Sequence, residues 1–275
     1  MSGPILAQVS VCPEARGGLK CSVMRWVTAL AVVTLVSAVA TAGFENLTCL
    51  DWSPTGEYLL FAQNGGLYLG QAPNGSQPRR LTPETTWVSW GRLGPGGDWY
   101  VYVTPLEHDY ILWRGWITGD EPEELYRTQG HISQPTVSPD GSRVAFVAEH
   151  DGTTGLSLLD LASGEVQSLT RTPFRAACPD FSPDGDLIVF VGLWKEGKSW
   201  DLFLLDLDSG SLEQLTEDSF FDWGPRFSPD GEWIAFESSR SGASDIYVIR
   251  RDGTDLTPFT HDQWRDAFPT WAPSG

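Results

Sequence analysis

The sequence predicts an all-β chain assembled from repeated four-stranded antiparallel sheets, on the strength of three observations. The phrase Ser138-Pro139-Asp140-Gly141 returns as Ser182-Pro183-Asp184-Gly185 and as Ser228-Pro229-Asp230-Gly231. Weaker copies are Ser53-Pro54-Thr55-Gly56, Gly94-Pro95-Gly96-Gly97 and Ala272-Pro273-Ser274-Gly275. The closing glycines lie 41, 44, 44, 46 and 44 residues apart, a period that belongs to a blade-by-blade propeller or another repeat array. Five residues after each of the first five glycines comes an aromatic: Phe61, Tyr102, Phe146, Phe190 and Phe236. Side chains alternate along a strand, so this fixed offset places all five rings on one face of equivalent strands.

The tetrapeptide is a turn for mechanical reasons. Proline presets φ for a type I turn, aspartate accepts nearby backbone N–H groups, and glycine takes the left-handed conformation. Each period then divides into four strand-like runs, in the third repeat roughly 133–138, 143–149, 155–161 and 165–170. A second turn signal separates the last two runs: Asn74-Gly75, Gly119-Asp120, Ala162-Ser163-Gly164, Ser209-Gly210 and Asp252-Gly253. Such dipeptides tolerate positive φ and make hairpins. Repeat ends match as well, in Leu81-Thr82, Leu169-Thr170, Leu215-Thr216 and Phe259-Thr260. Four antiparallel strands per unit of this length is the composition of a propeller blade.

The repeat over 225–260 carries a family resemblance. It reads Pro225-x-Phe227-Ser228-Pro229-Asp230-Gly231, then Ile234-Ala235-Phe236-Glu237-Ser238, Arg240, Gly242, Asp245-Ile246-Tyr247-Val248 and Asp252-Gly253. This resembles the TolB-type, WD-repeat-like β-propeller repeat, and the resemblance covers 45–275. It implies repeats at about 45–84, 85–129, 130–172, 173–218 and 219–262, with a partial one at 263–275. Repeat two departs furthest, because Gly94-Pro95-Gly96-Gly97 lacks the serine and the aspartate. TolB itself has a further N-terminal α/β domain, and nothing between Gly43 and Cys49 could be one. Family propellers usually have six blades. The expectation is therefore five complete blades plus the first strand of a sixth, either a truncated reading frame or an open arc, with a closed five-bladed ring as the remaining possibility.

The first 42 residues differ in kind. Lys20 and Arg25 precede an apolar run from Trp26 to Ala40 that exits through Ala40-Thr41-Ala42. Basic flank, short apolar core and A-x-A exit predict a secretory signal peptide over 24–42. The rival is a helical membrane anchor, since the run is near the lower length for spanning a bilayer. Residues 1–23 read as a leader ahead of a better start at Met24, and 43–275 as the propeller. The chain would then be periplasmic or secreted, touching a membrane only through 24–42 if these stay uncleaved. Cys49 and Cys178 each sit four residues before their turn serine. In a six-bladed ring those repeats lie opposite each other, too far apart for a disulfide, so two unpaired thiols are expected, most simply as small buried hydrophobes.

Composition narrows the function. Among 275 residues, acidic side chains outnumber basic ones 36 to 18, for a net charge of −18. This argues against nucleic acid as a partner, whose phosphates need clustered Lys and Arg. Thirteen tryptophans and 29 glycines suit an all-β repeat protein.

If the Ser-Pro-Asp-Gly turns occupy one face of the ring, the opposite face carries the loops between blades. Seven residues before each turn serine, or its equivalent, lie Asn46, Trp87, His131, Arg175, Phe221 and Arg265; six before lie Asp222 and Asp266, each in an Asp-x-x-Pro phrase. Phe174, Phe220, Trp223 and Trp264 are close by. Aromatic faces with a few charged groups suit a peptide segment or a glycan, so Trp87, His131, Arg175, Phe221, Asp222, Trp223, Trp264, Arg265 and Asp266 are the candidate ligand-binding residues. The plainer reading is that Asp222 and Asp266 hydrogen-bond the backbone of their own turns.

Catalytic signals are weak. The sequence has no Gly-x-Ser-x-Gly elbow, no His-Glu-x-x-His and no phosphate-binding glycine loop. His108, His131, His150 and His261 fall at unequal positions of different repeats, and Asp206-x-Asp208-x-Gly210 lacks the later ligands of a calcium loop. No cofactor and no metal are expected. The reading is an exported, non-catalytic module that binds a protein, peptide or glycan in the cell envelope. The alternative, implied by the same resemblance, is the propeller portion of an enzyme: the gating domain of a prolyl-oligopeptidase-like peptidase, or a polysaccharide lyase. A peptidase would need an α/β-hydrolase domain, and a lyase would point to His131, Asp222 and Asp266.

Overall fold

The computed structural model describes residues 5–11, 22–28, 31–33, 47–72, 75–170, 174–194, 197–261 and 265–273, with side chains from Cys49 onward. All regular structure in them is β. The chain begins with β1 (Ile5–Val11), β2 (Ser22–Thr28) and β3 (Ala31–Val33). Blade one is β4 (Leu47–Trp52), β5 (Tyr58–Gln63), β6 (Gly66–Gln71) and β7 (Ser76–Arg80). Blade two is β8 (Gly91–Leu93), β9 (Trp99–Leu106), β10 (Asp109–Trp116) and β11 (Glu123–Thr128). Blade three is β12 (Ile132–Val137), β13 (Arg143–His150), β14 (Thr153–Asp160) and β15 (Val166–Ser168). Blade four is β16 (Phe174–Phe181), β17 (Leu187–Trp194), β18 (Asp201–Asp206) and β19 (Leu212–Gln214). Blade five is β20 (Asp222–Phe227), β21 (Trp233–Ser238), β22 (Asp245–Arg250) and β23 (Thr257–Pro258). The last strand is β24 (Arg265–Ala272).

Each blade is an antiparallel meander whose first strand lies innermost, around the axis. The five rings at the fixed offset are all buried. Each faces a counterpart on the third strand of its blade: Phe61 opposite Tyr68, Tyr102 opposite Trp113, Phe190 opposite Phe203 and Phe236 opposite Tyr247, with Phe146 opposite Ser157. Such cross-strand pairs hold a sheet's register. The repeat-end threonines have an equally regular task. The hydroxyls of Thr82, Thr170, Thr216 and Thr260 accept the buried amides of Leu67, Leu156, Leu202 and Ile246 at 2.8–3.2 Å.

The Ser-Pro-Asp-Gly turns form as read. In blade three, Gly141 has φ of 72°, its N–H donates to the Ser138 carbonyl, and Ser138 Oγ accepts the Arg143 amide at 2.9 Å. The turns also interlock around the ring. A Cβ on Gly97 would come within 3.1 Å of Pro54, one on Gly141 within 3.2 Å of Pro95, and one on Gly231 within 3.3 Å of Pro183. Asp206, at the suspected calcium loop, instead accepts the amides of Asp208 and Ser209 at 3.1 and 2.7 Å, as a hairpin turn requires.

The described N-terminal residues form strands. β24 is not a solitary strand: it pairs with β1, and the sixth sheet runs β24-β1-β2-β3. The five complete four-stranded blades form as expected, and a sixth four-stranded sheet stands in place of the lone strand of an open arc, a truncated blade or a five-bladed ring. The ring closes on the turn face as well, where a Cβ on Gly56 of the first turn would lie 3.3 Å from Pro273 of the last. Where a helix is expected over 24–42, the described residues of that stretch lie in β2 and β3. The physical reason is the unpaired N–H and C=O row that β24 would otherwise expose, which a strand from anywhere in the chain can satisfy. Val23, Val27, Val32 and Val33, at home in a strand, lie in β2 and β3, which extend the sheet outward from β1. Among the described residues no helix is long and apolar enough to cross a membrane.

Candidate functional site

The six inner strands β4, β8, β12, β16, β20 and β24 surround the axis, and position along them translates into depth. Residues seven and six before the turn serine open the loop face; those four before it lie deeper, and those two before it are closest to the turns.

At the mouth the structure divides the predicted residues into two groups. Trp87 is 65 % exposed and lines a hollow with Trp90, Tyr110 and His131. The His131 ring meets Tyr110 edge-on at 4.9 Å. Across the axis Phe221, 46 % exposed, stacks on Trp223 at 5.4 Å, and Trp223 meets Trp200 edge-on at the same separation. Arg175 and Arg265 are exposed at the starts of β16 and β24. Trp90 and Trp223 both reach the axial cavity, which joins the two groups. Trp264 and Asn46 lie outside the described residues.

Asp222 and Asp266 are not free mouth groups, because both are fully buried. Asp222 accepts the Ser238 hydroxyl at 2.6 Å and the Arg240 guanidinium at 3.2 Å. Burial pushes its carboxyl up to about 6, against the lowering effect of those two partners. The partners lie on β21 and in the loop after it rather than in the residue's own turn, so the turn-capping reading is replaced by a cross-strand one. The Asp266 amide donates to the Ser244 carbonyl at 2.7 Å. Neighbouring Glu237, also buried, accepts the Phe268 amide at 3.0 Å and so holds the middle of β24.

Four residues before the turns lie Cys49, Trp90, Gln134, Cys178, Gly224 and Phe268, all lining a narrow axial cavity of about 40 Å³. Gln134, Cys178, Gly224 and Phe268 have φ of 52°, 52°, 60° and 54°, and each precedes a proline. Every one sits in a register break of its inner strand. A bulge at each of these points bends the strand toward the axis. Positive φ at three non-glycine residues is backbone strain gathered around the channel. The two thiols are free and buried, and burial lifts Cys49 to about 11 and Cys178 to about 12. Both stay protonated at neutral pH. Gln134 and Cys178 bind each other across blades, with Gln134 Oε1 accepting the Cys178 amide at 2.8 Å.

Two residues before the turns the ring reads Asp51, Arg92, Thr136, Asp180, Arg226 and Thr270. The four charges come from blades one, two, four and five and meet across the channel. Arg226 Nη1 lies 3.2 Å from Asp180 and 3.8 Å from Asp51. Arg92 lies 3.6 Å from Asp51 and 3.7 Å from Asp180. Arg226 Nη2 also donates to the Leu50 carbonyl at 2.6 Å. Each carboxylate accepts a backbone amide as well, Leu93 for Asp51 and Phe227 for Asp180, both at 2.9 Å. Side-chain exposures of 13–17 % show this square plugging the axis. Burial raises both carboxyls above the ordinary range, Asp180 to about 7, although Arg92 pulls each of them down. The sequence reading missed the plug. Its signal was present in the same register, as the cyclic order Asp-Arg-Thr-Asp-Arg-Thr.

The model of the TolB beta propeller domain matches residues 99–275. The chain belongs to the TolB beta propeller family. No curated protein is similar to it in sequence. Among solved structures, TolB from Acinetobacter baumannii superposes with a TM-score of 0.82 at 17 % identity, covering 98 % of this chain and 67 % of that one. A chain of a nidogen/laminin complex gives 0.71 at 9 % identity, covering 98 % of each. Oligogalacturonate lyase from Vibrio parahaemolyticus gives 0.61 at 12 % identity, covering 88 % of this chain and 72 % of that one. At such identities the likeness is one of fold alone.

Proposed function

We propose that this TolB-family propeller is a binding module that receives a protein or peptide segment in a blind funnel at its loop face. One observation carries the reading: an aromatic mouth opens onto an axial cavity whose far end is plugged by the Asp51, Arg92, Asp180 and Arg226 square. A segment entering there can lay apolar side chains against Trp87, Phe221 and Trp223, with Arg175, Arg265 and His131 at the rim. It stops at the plug rather than threading the ring. Exposed aromatic faces with few placed charges are the usual anchors of such recognition. The likeness to TolB and to a chain of a nidogen/laminin complex supports a protein ligand.

The cationic rim on an otherwise acidic molecule favours a second occupant, an acidic oligosaccharide, and the fold likeness to a lyase supports testing it. The cell envelope is the proposed site of action. The basic flank, apolar run and A-x-A exit before Gly43 support export to the periplasm.

The deciding experiment is capture from an envelope extract by the wild-type chain and by Trp87→Ala and Phe221→Ala, run beside binding and turnover assays on an acidic glycan panel. Loss of one discrete protein from both variants supports the funnel. Equal capture by all three chains rejects it, and turnover of a polyuronate would make the glycan the substrate.

A further inference from the structure

The structure assigns a divalent-cation site, suited to calcium, to Asp201, Asp218 and Asp222 in the cleft between blades four and five. Asp201 opens β18, Asp222 opens β20, and Asp218 lies in the connection between the two blades. One carboxylate oxygen from each comes within 4.8 Å of the others. That spacing allows a single ion to touch all three, and oxygen-only donors select a hard cation.

The independent observation is an orphaned atom. Asp201 is only 7 % exposed, and its Oδ1 is buried with no hydrogen-bond partner. Its other oxygen has two long contacts, 3.4 Å each, from Ser199 Oγ and Gln214 Nε2, and the Asp218 backbone amide also reaches the carboxylate. A buried carboxylate oxygen without a donor is costly, and native structures seldom leave one. A bound cation removes that cost, and so does a proton.

Local charge favours the cation. Arg240 is the cation that pairs with this cluster, at 2.7 Å from Asp218 and 3.2 Å from Asp222. It is held in place by the rings of Phe236 and Tyr247 at 5.4 and 5.1 Å. One guanidinium against three carboxylates leaves two negative charges in a mostly buried cleft. Further oxygen donors are close by: the Ser199 hydroxyl donates to the Asp218 carbonyl at 2.6 Å. The ion would tie β18 to β20 and fix the connection that carries Phe220 and Phe221. The site stands whatever the funnel binds.

Trp200 and Trp223 are the sequence neighbours of Asp201 and Asp222, which gives a direct readout. Terbium(III) added to the full chain is expected to show tryptophan-sensitised emission that calcium displaces, and calcium alone is expected to raise Tm. Asp218→Asn, at the exposed member, and Asp201→Asn should each weaken terbium binding tenfold or more. Circular dichroism confirms that both variants fold. Absence of sensitised emission and of a calcium-dependent Tm shift in the wild type overturns the assignment, leaving Asp201 protonated. Terbium binding unchanged in both folded variants overturns it equally.

Discussion

Arg226 Nη1 lies 3.2 Å from the carboxylate of Asp180, on the neighbouring blade, while its Nη2 reaches the Leu50 carbonyl on blade one. One side chain therefore ties three blades together at the channel axis. Removing it leaves Asp180 and Asp51 facing each other with Arg92 alone between them. Arg226→Met is expected to cost about 3–5 kcal/mol, the usual consequence of stranding a buried charge. Asp180→Leu combined with Arg226→Met deletes one charge of each sign and should cost less than the single change. Urea unfolding at pH 8 measures both, and a double variant weaker than the single would contradict the plug.

The same square makes stability fall as pH rises. The Asp180 carboxyl is held up at about 7, chiefly by burial, against about 3.9 in an unfolded chain. Between these values the folded form keeps a proton that the unfolded form releases, so its contribution is complete below pH 4 and lost as pH rises through 7. Unfolding free energy is expected to drop by on the order of 2 kcal/mol from pH 5 to pH 8. Asp180→Asn should flatten that slope. A flat wild-type profile would mean the arginines keep Asp180 ionised throughout.

Thr170 offers a test of the repeat itself. Its hydroxyl accepts the buried Leu156 amide at 2.8 Å. Thr170→Val keeps the shape but strands that N–H, at a cost of about 1–3 kcal/mol. Ser163→Ala, in an exposed hairpin, serves as a control and should stay within about 0.5 kcal/mol. Equal effects would show that the threonine ladder is incidental.

The N-terminal segment separates two fates. If export cleaves after Ala42, β1, β2 and β3 are lost, and the edge of β24 that they cover is bared. A chain lacking residues 1–42 is therefore expected to melt at lower temperature than the full chain and to self-associate, as exposed strand edges do. Mass spectrometry of protein isolated from the envelope identifies which chain the cell keeps. A truncated chain as stable and monomeric as the full one would show that the first three strands contribute nothing.

Much of the fold was legible because short-range chemistry writes it. The Pro-Asp-Gly turns, the aromatic at a fixed offset and the closing threonine each act within one blade. They recur in sequence because every blade solves the same packing problem. The mouth was legible only in part: counting back from the turns located Trp87, His131, Phe221 and Trp223, but also selected Asp222 and Asp266, which are buried. Register gives depth along a strand. It does not say whether a carboxylate there meets water or the arginine of a neighbouring loop.

The sequence by itself determined the blade, its turns, its buried rings and the family, since all of these rest on contacts between residues a few tens of positions apart. Tertiary structure alone decided that β1 to β3 complete the sixth sheet. It alone brought Asp51, Arg92, Asp180 and Arg226 together, and it alone left one oxygen of Asp201 without a partner. Those outcomes depend on the packing of blades around the ring, whose closure sets residues as distant in sequence as Ile5 and Ala272 side by side. Charge neutralisation across the axis shows in the sequence only when one position is compared across all the repeats, and the backbone pairing of β1 with β24 follows no repeat at all.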